Sequence, residues 1–494
     1  MRPRSTPPWP SIPAEPAELA RAGESLARLG QAIDTYQAHD QPPYPAYRGT
    51  LGSGPLPQDG IGLEGMAAEL AEAVAHGSRI GAPGWAGFIT TGSTTGPALA
   101  QAARAFAGGQ RYLLHAFNAL EHRSLGWLAE LCGLPVDAAG VYSSGGSTAN
   151  LVGLGAARQA AYERRGVDAA EDGLPVGMPG RIYSSALAHR TIHRSAAVLG
   201  LGRRSVRAIP VNEHGRIRLD ALDEAISADV RAGILPIATV AIAGTTDTGF
   251  VDDIRGVVEI AHRHGCWVHV DGAYGLIANA SPALAPLFDG VEQADSWIVD
   301  PHKWLATGVG VAATYVRDGD LLTRAFAEGK AAYLEGAFAE DDAVAEWDGF
   351  GGPWADQGVE LSAPPRGVMV WAILREIGRA GVVARVDRHV AFARRVAQRA
   401  AEHPRLELLI EPQLSIACFR YLPAGGDRSA ARVNEVNGLI MNRLRREAGF
   451  VPTSTVLDGK TAIRPCYVNP HTTEREVDGL VAAVVRFGDE LTSG

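Results

Sequence analysis

The sequence predicts an α/β protein with a mostly parallel sheet covered by helices on both faces. Two observations carry this. From about residue 100, short apolar or β-branched runs alternate with Ala/Leu/Arg-rich helical stretches. At the ends of several of these runs sit glycines, hydroxyl residues and acids, where sheets of this class bind ligands.

Residues 1–60 are proline-rich and carry one helical stretch, 16–36, with Leu19, Ala22, Leu26, Leu29, Ile33 and Tyr36 spaced for one face. A second helix is expected at 63–75. Neither has enough apolar surface to stand alone, so this arm is expected to pack on something else. Strands are expected at 141–143, 181–183, 237–243, 266–270, 297–299 and 309–316, with long helical stretches between several of them. Residues 320–362 are rich in glycine, alanine and acids, as a functional loop would be. A long helix begins near 366 and leads into an α+β tail ending near 487. The expected units are an arm at 1–98, a large domain at 99–368 and a small domain at 369–494.

Composition narrows the function. The formal charge of −9 argues against nucleic acid or an anionic membrane as the main partner. The longest apolar stretch, 234–243, is about half the length a bilayer requires. The proline-rich start does not read as a secretory signal. Cys132, Cys266, Cys418 and Cys466 lie far apart with no CxxC pair, which favours free thiols in a reducing cytosol.

The chemistry starts with lysine. The 46 basic residues include only three lysines, and one is Lys303 in the run Asp300-Pro301-His302-Lys303-Trp304. A chain that uses arginine for charge keeps lysine where an amine must lose its proton, because guanidinium does not. Lys303 is therefore the first candidate for a Schiff-base lysine. Lys330 and Lys460 show that the bias also leaves lysines without such a role.

Tyr142 to Asn150 reads as a strand meeting two glycines, then hydroxyl residues, then a helix. Gly146, Ser147 and Thr148 at that helix start suit either a phosphate or a plain N-cap. In Val268-His269-Val270-Asp271-Gly272-Ala273-Tyr274, alternation puts His269 and Asp271 on one strand face. Asp271 at the end of an apolar strand needs a cationic partner, either an arginine or a protonated pyridine nitrogen. His189 follows a strand and is placed to stack on a flat ring. Gly244-Thr245-Thr246 closes another strand, as a binding loop or a turn. His262, His264, Cys266 and His269 lie close in sequence but lack metal-ligand spacing, and Gly200-Leu201-Gly202 is too short for a dinucleotide fingerprint.

Taken in order, these pieces resemble the group II pyridoxal-phosphate amino-acid decarboxylases, of the aromatic-amino-acid and glutamate decarboxylase type. The run from Ala294 to Leu305 is the most specific element, and the resemblance extends from about 60 to 487. It implies the fold type I architecture of PLP-dependent transferases and pyridoxal 5′-phosphate as cofactor. Lys303 would hold the cofactor as an internal aldimine. Asp271 would pair with the pyridine nitrogen, and His189 would stack on the ring with Ala273 beneath it. Ser147, Thr148 and His302 would contact the phosphate region, beside Gly146 and Asp300. Thr246 would support ring and histidine. Arg464 matches an arginine that meets a substrate carboxylate, and Tyr333 a loop tyrosine that donates a proton.

The implied reaction converts an L-amino acid into its amine and CO₂. The alternatives are an aldehyde synthase or transaminase-like enzyme on the same scaffold, or a PLP-binding protein without turnover. Trp85 and Phe88 are candidates to line a pocket for an aromatic or other bulky substrate. The resemblance also implies a homodimer embraced by the N-terminal arm, and the cysteine usage places it in the cytosol as an expectation. The chain departs from the family pattern at Ala82-Pro83-Gly84-Trp85, at Pro364-Pro365-Arg366 and at Asp300, where some members have asparagine.

Overall fold

The computed structural model describes residues 55–493, except 57, 78–79, 110, 112–114 and 328–353, together with residues 23, 24 and 27. The helix expected at 16–36 lies outside the described residues save for Gly23, Glu24 and Ala27, which are helical. In chain order, α1 (Gly62–His76) is followed by β1 (Trp85–Ala86), α2 (Thr95–Phe106) and α3 (His115–Leu131). Next come β2 (Ala139–Ser143), α4 (Gly146–Glu163), β3 (Gly180–Ser185), α5 (Thr191–Val198) and β4 (Val206–Ile209). They lead to α6 (Leu219–Arg231), β5 (Leu235–Ile242), α7 (Ile254–Arg263), β6 (Trp267–Asp271), β7 (Ser296–Val299), β8 (Ala312–Val316) and α8 (Asp320–Phe326). The C-terminal part holds α9 (Gly367–Glu402), β9 (Leu406–Ile410), β10 (Cys418–Tyr421), α10 (Ala430–Arg443), β11 (Val451–Leu457), β12 (Lys460–Arg464) and α11 (Glu474–Thr492).

Seven strands form one sheet in the order β2-β8-β7-β6-β5-β3-β4. β8 runs antiparallel to β2 and β7, and the other neighbours pair in parallel. This is the expected α/β, fold type I architecture. β5 is buried along its whole length, as a strand covered on both faces must be, and its sequence is accordingly an unbroken apolar and small-residue run.

The boundaries differ from the sequence reading for local reasons. The strand expected from 266 begins at Trp267 because the Cys266 amide still closes the preceding helix on Ala261 O. The strand expected from 309 begins at Ala312 because Gly308 and Gly310 take positive φ, at 76° and 99°. β4 was not anticipated. It is a four-residue edge strand, too short for alternation to stand out.

A second sheet has the order β1-β11-β12-β10-β9. Its parallel edge strand, β1, comes from the segment assigned by sequence to the N-terminal arm. α9 bridges the two cores. Val368 to Val390 pack with the core of the larger sheet, and Phe392 to Ala400 with that of the smaller one. The helix bends at Gly378, whose φ of 63° and ψ of 179° are non-helical. Among the described residues, no helix is long and apolar enough to cross a membrane.

Candidate active site

The C-terminal ends of β2, β3, β5, β6 and β7 deliver most of the candidate residues to one cavity of about 510 Å³. α4 starts immediately after β2, and no side chain caps it. Thr148 N and Ala149 N donate to Gly145 O, which leaves the Gly146 and Ser147 amides to an anion. A Cβ on Gly146 would lie 2.6 Å from Asp300 Oδ2, so only glycine admits the carboxylate that arrives after β7. Asp300 Oδ2 in turn lies 3.1 Å from Lys303 Nζ. His302 Nδ1 faces Val311 O at 3.4 Å, its Nε2 lies 3.9 Å from Asp300 Oδ2, and burial lowers its pKa.

Asp271 ends β6 and is buried. Ala273 N donates to Oδ1 at 3.2 Å and Asn150 Nδ2 to Oδ2 at 3.3 Å. Desolvation raises its pKa, and the nearby Lys303 cation only partly opposes this. His189 Nδ1 lies 2.9 Å from Thr191 Oγ1.

Gly146, Ser147, His189, Thr246, Asp271, Ala273, Asp300, His302 and Lys303 all line the cavity, as do Phe88 and Arg464. Thr148 does not; its hydroxyl turns to Ser144 Oγ at 3.0 Å. Trp85 is a correction. Its indole is buried, donates to Thr90 O at 3.2 Å and stands outside the lining. The reason is that Trp85 belongs to β1, paired with Val451. Phe88, three residues on, reaches the cavity through a backbone at φ 53°. Tyr333 lies outside the described residues.

Arg464 is more committed than its sequence motif suggested. Nε donates to Asp247 O at 3.0 Å, and Nη1 to Phe88 O and Thr453 Oγ1, each at 3.0 Å. Nη2 donates to Thr246 O. Of the five guanidinium N–H groups, one is left for a ligand. The histidines near residue 266 also have separate partners: His262 pairs with Asp295 at 3.0 Å, His264 with Asp223 at 2.7 Å, and His269 with Asn150 at 2.9 Å.

Sequence reasoning missed Asn150, Leu187, Thr191, Asp247, Thr453 and Ser454 in the lining. Asn150 carried a signal, being a polar residue amid the buried Ala149, Val152 and Leu154. Thr453 and Ser454 carried none, because β11 reaches the site from the other sheet.

The model of the pyridoxal-dependent decarboxylase conserved domain matches residues 113–422. The chain is 29% identical over 373 residues to the aromatic-L-amino-acid decarboxylase of Bacillus atrophaeus, covering 76% of this chain and 74% of the relative. It is 30% identical over 364 residues to tryptophan decarboxylase 1 of Oryza sativa subsp. japonica, covering 70% and 68%. In fold it matches the crystal structure of Oryza sativa TDC with PLP and tryptamine, with a TM-score of 0.88 at 24% identity over 99% and 100% of the two chains.

The cofactor of this family is pyridoxal phosphate, and the donor set fits it. A buried carboxylate whose pKa burial raises suits a protonated ring nitrogen, an uncapped helix start suits a phosphate, and a primary amine lines the same cavity. The chain belongs to the pyridoxal-dependent decarboxylase family and is a pyridoxal-phosphate-dependent amino-acid carboxy-lyase.

Proposed function

We propose that the chain converts an L-amino acid with an aromatic or other bulky side chain into its amine and CO₂, with the cofactor attached through the Lys303 amine. The observation that carries this reading is the convergence of Lys303, the buried Asp271 and the start of α4 on one cavity. Bound pyridoxal phosphate supplies an electron sink for the pair left when CO₂ departs.

The chain's own residues do the rest. Asp271 would hold positive charge at the ring nitrogen, where its burial would strengthen the pairing. Ser147 and the first amides of α4 would take the phosphate end, with His302 beside them. His189, Ala273 and Thr246, which line the same cavity, would hold the ring. Lys303 would hold the cofactor through its amine, and Asp300 keeps that amine in the cavity. Phe88 and Leu187 supply an apolar wall, and Arg464 offers its remaining N–H to a carboxylate. The names of the two relatives, both decarboxylases of aromatic amino acids, support the substrate class.

We extend the reading to a homodimer in the cytosol. Leu63, Met66 and Leu70 on α1 and Leu99 and Phe106 on α2 are exposed apolar side chains suited to a second copy. The four cysteines are free and buried, as in a reducing compartment.

The test is incubation of the PLP-loaded protein with a panel of L-amino acids, following CO₂ and amine together. Equal amounts of both, fastest with aromatic substrates, are expected. Aldehyde with ammonia and peroxide would replace the reading with that of an aldehyde synthase. Absence of CO₂ from every amino acid would overturn it.

A further inference from the structure

Asn150 stands in the second turn of α4 and is buried. Its amide faces three groups. Nδ2 lies 3.3 Å from Asp271 Oδ2 and 3.4 Å from Thr191 Oγ1, and Oδ1 lies 2.9 Å from His269 Nε2. His269 is two residues before Asp271 on β6, fully buried, with Nδ1 2.8 Å from Ser296 Oγ. Ser296 Oγ takes a hydrogen bond of 2.8 Å from Trp267 Nε1.

The direction of each hydrogen bond follows from the ends of this series. An ionised Asp271 only accepts, so the NH₂ of Asn150 must face it. That turns Oδ1 to His269, whose Nε2 must then carry the proton. Burial holds the His269 pKa down to about 3, so the ring is neutral and Nδ1 is bare. Ser296 donates its hydroxyl proton there and accepts from the indole, which only donates. Trp267, Ser296, His269, Asn150 and Asp271 therefore donate one to the next in one sense.

A branch leaves at the same amide. The Thr191 backbone N–H also points to His189 Nδ1, at 3.4 Å, which makes Nδ1 an acceptor. The Thr191 hydroxyl can accept from Asn150 and donate to that nitrogen, leaving the His189 proton on Nε2.

Packing keeps the central members in register. Gly153 sits one helical turn after Asn150, and a Cβ there would stand 2.5 Å from His269 Cε1. The helix whose start lines the cavity is thus cut away to admit the imidazole of His269.

We propose that Asn150 is a positioning residue, oriented by His269 and Ser296, that sets the Asp271 carboxylate and the His189 ring as one unit around the pyridine end of the cofactor. The proposal rests on the pairing of Asp271 with the ring nitrogen. Its signature is a preference for the cofactor's ring nitrogen that depends on residues that do not pair with it.

The test compares the affinity of the cofactor-free full chain for pyridoxal phosphate and for its 1-deaza analogue, which has carbon in place of the ring nitrogen. Wild type should prefer the natural cofactor. Asn150→Leu should cut that preference about tenfold, as expected for a lost hydrogen bond to a charged group, by weakening pyridoxal phosphate and leaving the analogue within about twofold. Ser296→Ala, which removes only a hydroxyl three bonds along the series, should move the preference the same way by less. Equal weakening of both ligands, or an unchanged preference in both variants, would overturn the proposal. A wild type that binds neither ligand, or both equally, would overturn the cofactor pairing itself and is thereby distinguished.

Discussion

Lys303 Nζ lies 3.1 Å from Asp300 Oδ2, and that same oxygen lies 2.6 Å from where a Cβ on Gly146 would stand. One carboxylate thus holds the lysine amine and fills the space at the start of α4. Gly146→Ala drives a methyl into it and should cost about 1–3 kcal/mol of stability, with loss of cofactor on dialysis. Thermal unfolding and the cofactor absorption band read both effects. Adding Asp300→Ala to Gly146→Ala restores the space, so the double variant should recover stability that an additive pair would lose.

Asp271→Asn should separate stability from activity. Burial raises the Asp271 pKa, so the folded state binds its proton more tightly than the unfolded chain. The stability this contributes is complete below the ordinary value of 3.8 and is lost as pH rises through the higher folded value. Above that range the cofactor-free wild type should lose stability relative to Asp271→Asn. The variant's decarboxylation rate should nevertheless fall about 10²–10³-fold, as when a preorganised charge is removed from a reacting centre. Paired melting curves and kcat values check this.

A second buried carboxylate gives a pH effect remote from the cofactor. Asp252 accepts from Ile217 N at 2.7 Å and from Ile242 N at 2.8 Å, which ties down the end of β5, and desolvation pushes its pKa up to about 6. Its stabilising contribution is present below 3.8 and lost as pH rises to about 6. The stability of wild type relative to Asp252→Asn should therefore fall by about 2 kcal/mol between pH 4 and pH 7. Urea unfolding at several pH values measures it.

The parts of the fold and site that were legible in the sequence are those whose chemistry is local. Asp271 announced itself because a carboxylate at the end of an apolar strand needs a partner, and Lys303 because lysine is rare in this chain. The sheet was legible because β5 and β6 are short apolar runs between long helical stretches. The rest depends on distance. Thr453 and Ser454 enter the cavity from β11, and no sequence pattern reports that this strand lies beside Phe88 and β1. The same pairing removed Trp85 from the cavity. Asn150 was visible as a residue but not as a junction, because its partners His269 and Asp271 lie 119 and 121 positions away.

Arg464 illustrates the difference between a charge and a fork. Its hydrogen bonds join the segment at Phe88, the loop at Thr246 and Asp247, and β11 at Thr453. Arg464→Lys keeps the charge and loses the planar donors, so it should cost about 2 kcal/mol of stability. The substrate KM should change by less than the cofactor-free melting temperature implies. An unchanged melting temperature with a large rise in KM would instead show that Arg464 serves the substrate carboxylate alone and not the joint between these segments.

The central claim is that the cofactor is attached at Lys303, and borohydride reduction followed by peptide mapping tests it most directly. The account predicts one reduced pyridoxyl group per chain, on the peptide containing His302-Lys303-Trp304, and none in Lys303→Ala. A label on Lys330 or Lys460, or no label on wild type saturated with pyridoxal phosphate, would contradict it.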